Sequence, residues 1–119
     1  MAADGKRARL PLALASSFVL FLSGCGSTPE DRVYEAFKCG KVAFLLEQHG
    51  AGDRAMMSVK DELMELEQLG GNPSMMAMEM GARFQDDVPL YRLSLQGQME
   101  LLADIYQSSD CQNMYATRP

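Results

Sequence analysis

Three cysteines, one histidine and ten methionines are the residues of this 119-residue chain whose types could do chemistry. Cys25, Cys39 and Cys111 supply thiols, which serve as nucleophiles, metal ligands or disulfide partners. As a nucleophile Cys39 would need a neighbour that depresses its pKa. The single histidine, His49, lies in the glycine-rich stretch His49-Gly50-Ala51-Gly52, where a solvated turn residue is the commoner reading than a base or ligand. No Ser/His/Asp or Cys/His set can be assembled around it. Glu62, Glu65, Asp86 and Asp87 fit solvated helix faces and caps. The chain contains no CxxC pair, no phosphate-binding glycine loop and no histidine-based metal spacing. It is therefore expected not to be an enzyme, and the sequence implies no cofactor and no metal residues.

The methionines are the unusual feature of the composition. Met75-Met76-Ala77-Met78-Glu79-Met80 is similar to the methionine-rich runs of proteins that bind Cu(I), and soft thioethers select that ion. On a helix, however, Met76, Met80 and Phe84 stack at i, i+4 and i+8 while Met78 faces roughly the other way. Pliant thioethers also fill cores and make adaptable recognition surfaces. Met75, Met76, Met80 and Phe84 are accordingly the candidate partner-binding residues, and copper handling is the alternative.

Lys6, Arg7 and Arg9 precede an apolar run, Leu10 to Leu22, that is too short to span a bilayer as a helix. A basic flank, a short apolar run and small residues in that order fit a signal peptide. The run ends in Leu22-Ser23-Gly24-Cys25. This box resembles that of bacterial lipoproteins: an aliphatic residue, two small residues, then an obligatory cysteine. The resemblance covers only the leader. It implies that residues 1–24 are removed, that the Cys25 thiol carries a diacylglyceryl group, and that the new amino terminus receives a fatty acid such as palmitate. In that class an aspartate after the cysteine favours inner-membrane retention. Gly26 therefore implies the periplasmic face of the outer membrane if the host is Gram-negative. Stable anchoring takes two or more lipid chains, which Cys25 would supply. Residues 25–28 form a short tether, which keeps the domain close to the bilayer.

With Cys25 acylated, Cys39 and Cys111 remain, an even number in an exported chain, and are expected to form one disulfide. Removing the leader leaves 8 Lys and Arg against 15 Asp and Glu. A domain this acidic argues against nucleic acid as a partner and against electrostatic adhesion to anionic lipid.

The elements that must position these residues read as four helices over residues 29–119. Thr28-Pro29-Glu30-Asp31 is a cap followed by a first-turn proline and two acids, and it opens a helix to about Gln48. His49-Gly50-Ala51-Gly52 is expected to end that helix. Met56, Val59, Leu63 and Leu66 mark a second helix from Asp53 to Leu69, closed by Gly70-Gly71. Asn72-Pro73 opens a third to about Gln85, and a fourth is expected from Val88-Pro89 to about Ser108. Tyr91, Leu95, Gln98, Leu102 and Ile105 share the fourth helix's apolar face, and Ser109 to Pro119 is a polar tail. Gly40, Gly81 and Gly97 fall inside helices and point to close helix approach. No stretch alternates with period two.

The fold class is thus an all-α, small four-helix domain, bundle-like or orthogonally packed, stapled by one disulfide. In a plain bundle Cys39 lies mid-helix, away from the end of the fourth helix, so either the tail folds back or the helices cross steeply; the second is favoured. By general layout the chain is similar to small helical lipoproteins that pilot secretion-channel subunits. The function expected is a lipid-anchored periplasmic adaptor. It would contact the membrane through lipid on Cys25 and bind another envelope protein, in a secretion, assembly or immunity role.

Overall fold

A computed structural model describes residues 27–118. The leader, the box ending at Cys25 and Gly26 lie outside the described residues. Six α-helices and one 3-10 turn make up the rest: α1 Pro29–Leu45, α2 His49–Met57, α3 Lys60–Gln68, α4 Pro73–Asp87, the 3-10 turn Leu90–Arg92, α5 Leu95–Gln107 and α6 Ser109–Tyr115. No strand occurs among the described residues.

Side-chain caps set most of the helix starts. Thr28 Oγ1 accepts from the Asp31 amide at 3.1 Å, and Asn72 Oδ1 accepts from the amides of Ser74 and Met75 at 2.9 and 3.2 Å. Ser94 and Ser108 do the same for α5 and α6. Each cap satisfies amides that the helix itself leaves without a partner.

α1 is the centre of the fold, and the other five helices pack around it. Its buried residues, Val33, Tyr34, Ala36, Cys39, Gly40, Val42 and Ala43, face in several directions. Three core clusters result. Cys39 and Ala43 meet Ala51, Ala55, Cys111 and Tyr115 from α2 and α6. Tyr34 and Val42 meet Phe84, Val88 and Leu102. Val33 and Ala36 meet Val59. α2 and α3 therefore run back along α1 from its end to its beginning, with Ala51 beside Ala43 and Glu62 bonded to Arg32 at 3.0 Å. α4 runs alongside α1 in the same direction, with Arg83 bonded to Asp31 at 3.3 Å and Phe84 edge-on to Phe37.

Small residues let α1 and α2 approach closely. A Cβ added at Gly40 would lie 3.4 Å from the Gly52 carbonyl oxygen, so the expected close approach is present there. At Gly81 a Cβ would meet nothing within 4 Å, so no close approach explains that glycine.

The element count differs from the four helices expected, for identifiable reasons. α1 ends at Leu45, with Glu47 in the left-handed region at φ 61°. The Gln48 amide donates to the Ala43 carbonyl and the Glu47 amide to the Phe44 carbonyl, which is a Schellman closure. A glutamate thus supplies the stop, and His49-Gly50-Ala51-Gly52 begins α2 instead of ending α1. The expected Asp53–Leu69 helix is broken where Val59 leaves helical geometry (φ −118°, ψ 22°) and its side chain drops into the core beside Val33 and Ala36. Val88-Pro89 does not open a helix: the 3-10 turn intervenes, and α5 starts at Leu95. Tyr91 and Leu95, placed by spacing on an apolar inner face, are 68% and 75% exposed.

The polar tail is helix α6. It leaves α5 at Ser108, whose backbone is extended and whose hydroxyl caps the new helix. This fold-back brings the Cα of Cys111 to 5.3 Å from that of Cys39, and the two cysteines form a disulfide. The tail, not a steep crossing of the fourth helix, closes the loop.

Candidate functional site

The disulfide is the best-enclosed of the features singled out by chemistry. Both cysteines are buried, and Tyr115 covers them. The Tyr115 hydroxyl donates to the Cys39 carbonyl at 2.7 Å, and its ring stacks on Tyr106 at 4.8 Å between centroids. Burial pushes the Tyr115 phenol up to about 12. Both thiols are consumed, so neither Cys39 nor Cys111 is a nucleophile or ligand in this state. Among the described residues no group of three or more His, Cys, Asp or Glu side chains lies close enough to hold a metal ion. His49 rests against Phe44 at 5.5 Å, on α2, whereas the methionine run is on α4.

The four methionine-helix candidates separate. Met75 is 57% exposed, Met76 and Met80 are half-buried, and Phe84 is 3% exposed. Phe84 is a core residue between Tyr34, Val42 and Val88, and Met80 packs against two of the three clusters. Met78, which faces away, is exposed. A single Met–Phe recognition face does not form. Phe84 is the only one of α4's fifteen residues that is fully buried.

A polar seam ties α4 to α1. The Tyr34 hydroxyl donates to Asp87 Oδ2 at 2.6 Å, and the Arg83 guanidinium lies 3.9 Å from the Tyr34 ring centroid. Burial, followed by the bond to Asp87, raises the Tyr34 phenol well above its ordinary value. The Asp31 carboxyl is held below the usual carboxylate range by the Thr28 backbone, with Arg83 adding to the effect.

The concave apolar surface lies elsewhere, on the outward face of the second half of α1. Two open hollows flank it. One, of about 450 Å³, is lined by Phe37, Gly40, Phe44 and Met56. The other, of about 600 Å³, is lined by Phe84, Val88, Leu90 and Tyr91. Lys41 and Leu45 line both, so the two hollows adjoin at these residues, and the pair is called the Lys41 groove below. Phe44, Leu45 and Tyr91 are exposed along it. Lys41 sits at its middle, 5.3 Å from the Phe84 ring centroid, and makes no ion pair among the described residues.

No protein-family model matches the chain, and no curated protein or solved structure is significantly similar to it.

The groove as a whole has no signature in the sequence because its walls come from four separate elements, α1, α2, α4 and the 3-10 turn. One signal was available: Phe44-Leu45-Leu46 puts three apolar side chains in a row at the end of a helix. A helix buries only part of its circumference, so at least one of them had to face outward. Leu46 turns inward and Phe44 and Leu45 do not.

Proposed function

We propose that this protein is a lipid-anchored adaptor of the bacterial envelope. Acyl chains on Cys25 hold it to the membrane, and the Lys41 groove receives an amphipathic helix of another envelope protein. The observation that carries this reading is the groove itself: two adjoining, largely apolar hollows with one cation, unpaired among the described residues, where they meet. A helix lays side chains at i, i+3, i+4 and i+7 into such a groove. A helix with an Asp or Glu inside that apolar stripe would leave its carboxylate beside Lys41, where the surrounding apolar walls strengthen the pairing.

Two further observations support the reading. A disulfide such as Cys39–Cys111 persists in oxidising compartments such as the periplasm, which agrees with the export leader expected from the sequence. Lys41 also lies twelve residues into α1 from Pro29, about 18 Å along the helix axis. The groove is therefore set back from the end of α1 that the tether joins, which leaves room for a partner. An adaptor of this kind would escort a secretion or assembly subunit, or block an incoming effector as an immunity protein does.

Site-specific photocrosslinking in intact cells tests the proposal. A photoreactive residue at Leu45 or Tyr91 is expected to give one discrete adduct, absent when the probe is at Asp110 on α6. The crosslinked peptide should be helical, with an acidic residue in its apolar stripe. Lys41→Glu should abolish the adduct, and reversing that acid to Lys in the partner should restore it. Equal labelling from all three positions, or an adduct indifferent to Lys41→Glu, would overturn the reading.

A further inference from the structure

The end of the domain that carries the tether has its own exposed apolar tip. α3 runs toward the start of α1, and α4 begins there. Leu66 and Met76 line the same small cavity as Glu30, in the first turn of α1. Between them lies the turn Leu69 to Asn72. Gly70 takes φ 96°, and the Gly71 amide closes α3 on the Leu66 carbonyl at 2.9 Å. Gly71 is also closely packed, since a Cβ there would lie 2.8 Å from the Leu66 oxygen and 3.2 Å from the Met76 sulfur. The turn is therefore held in place beside the first turn of α1. Leu69 in this turn is 77% exposed, and Met75 in the first turn of α4 and Met78 one helical turn further on are exposed as well.

The tether begins at that same end. Described structure starts at Ser27, whose carbonyl accepts from Arg32 at 2.8 Å. Cys25 is two residues upstream in sequence, and two residues of chain span at most about 7 Å between Cα atoms. A lipid surface reached through Cys25 would therefore meet this end of the domain first. We infer that Leu69, Met75 and Met78 form a second membrane contact that inserts into the bilayer interface beside the anchor and fixes the domain's orientation. This inference rests on the reading of Cys25 as the lipid anchor. Glu65, Glu67 and Glu79 flank the tip, which commits the contact to zwitterionic lipid: anionic headgroups would repel it.

The chain contains no tryptophan, so one introduced indole reports its own depth. The full chain, expressed in a bacterium and purified from its membranes, is reconstituted into phosphatidylcholine vesicles with and without brominated acyl chains. Leu69→Trp and Met75→Trp are expected to emit at shorter wavelength and to lose about half or more of their intensity to brominated lipid, as interfacial residues do. Leu45→Trp, at the far end of α1, should be unaffected. Adding Leu69→Glu to the Met75→Trp chain should relieve the quenching. Unquenched indoles at 69 and 75, or equal quenching at 45, would overturn the inference. Mass spectrometry of the same sample reads the acyl mass on Cys25 and so tests the anchor separately. If Cys25 is found bare, its thiol is coupled to a maleimide-bearing lipid, and the quenching is read from the same tether point.

Discussion

The Tyr115 hydroxyl donates to the backbone carbonyl of Cys39 at 2.7 Å, across 76 residues of sequence. The bond reaches α1 at the residue whose side chain forms the disulfide to Cys111, so α6 is held to α1 twice in the same place. The disulfide closes a sequence separation of 72 residues, worth about 4 kcal/mol in the chain-entropy account. Against the usual 5–15 kcal/mol of a domain that is a large share. Urea denaturation of the paired Cys39→Ala, Cys111→Ala variant should show a loss of about this size. Tyr115→Phe alone should cost about 1 kcal/mol, the net worth of one buried hydrogen bond; the Cys39 carbonyl, inside α1, keeps its helical partner. If α6 detaches once the disulfide is gone, Tyr115→Phe will cost almost nothing in that background. A full, additive penalty there would show that α6 docks without the covalent link.

The two buried phenols predict an alkaline limit to stability. Tyr34 and Tyr115 are both raised above the ordinary tyrosine value, Tyr115 to about 12. In the unfolded chain each loses its proton near pH 10, while in the folded chain each keeps it longer. Between those pH values the folded state binds more protons, so stability falls as pH rises. The contribution is complete below pH 10 and is lost as pH climbs through 12. Helical circular dichroism at constant ionic strength should show unfolding in that window. The Tyr34→Phe, Tyr115→Phe chain should start less stable and lose less across it.

Glu47 and Gly81 are mismatched to their backbones in opposite senses. Glu47 occupies the left-handed position at the end of α1, which costs a non-glycine residue about 1–2 kcal/mol. Gly81 sits inside α4 with open space where a Cβ would go, and glycine in a helix interior costs about 0.5–1 kcal/mol relative to alanine. Glu47→Gly and Gly81→Ala should each raise the urea midpoint by an amount corresponding to about 0.5–1 kcal/mol. The two sites share no packing partner, so the gains should add. Gly52→Ala should go the other way, because its Cβ would lie 2.8 Å from the Phe44 ring. A midpoint raised by Gly52→Ala would mean that Phe44 yields freely.

Local chemistry explains which parts of the fold were legible. Thr28-Pro29 and Asn72-Pro73 each announce a helix in adjacent residues, and both helices start where those pairs stand. Gly70-Gly71 announces a stop, and α3 stops there. The break at Val59 was hidden because Met56, Val59, Leu63 and Leu66 keep helical spacing across it; only packing against Val33 and Ala36 distinguishes two helices from one. The stop at Glu47 was hidden because a glutamate took a conformation that glycine usually takes. Ser108-Ser109-Asp110 carried a cap signal for α6, but the polar residues around it masked a helix that buries only Cys111 and Tyr115. The disulfide was legible from arithmetic, whereas the groove, built from four separated elements around Lys41, has no local signature.

Lys41 and Phe84 allow binding to be separated from folding. Phe84 is at once a core residue and part of the groove floor, and Phe84→Ala should cost about 3–5 kcal/mol. It should also abolish any crosslink through the groove, but for a trivial reason. Lys41 is exposed, and its interaction with the Phe84 ring is worth about 0.5–1 kcal/mol at such a site. Lys41→Glu should therefore leave the urea midpoint nearly unchanged while abolishing the adduct formed from Leu45. Met75→Ser should change neither the midpoint nor that adduct, because Met75 is exposed on α4 and lines neither hollow. If Met75→Ser removed the adduct and Lys41→Glu did not, the binding surface would be the methionine helix and not the α1 groove.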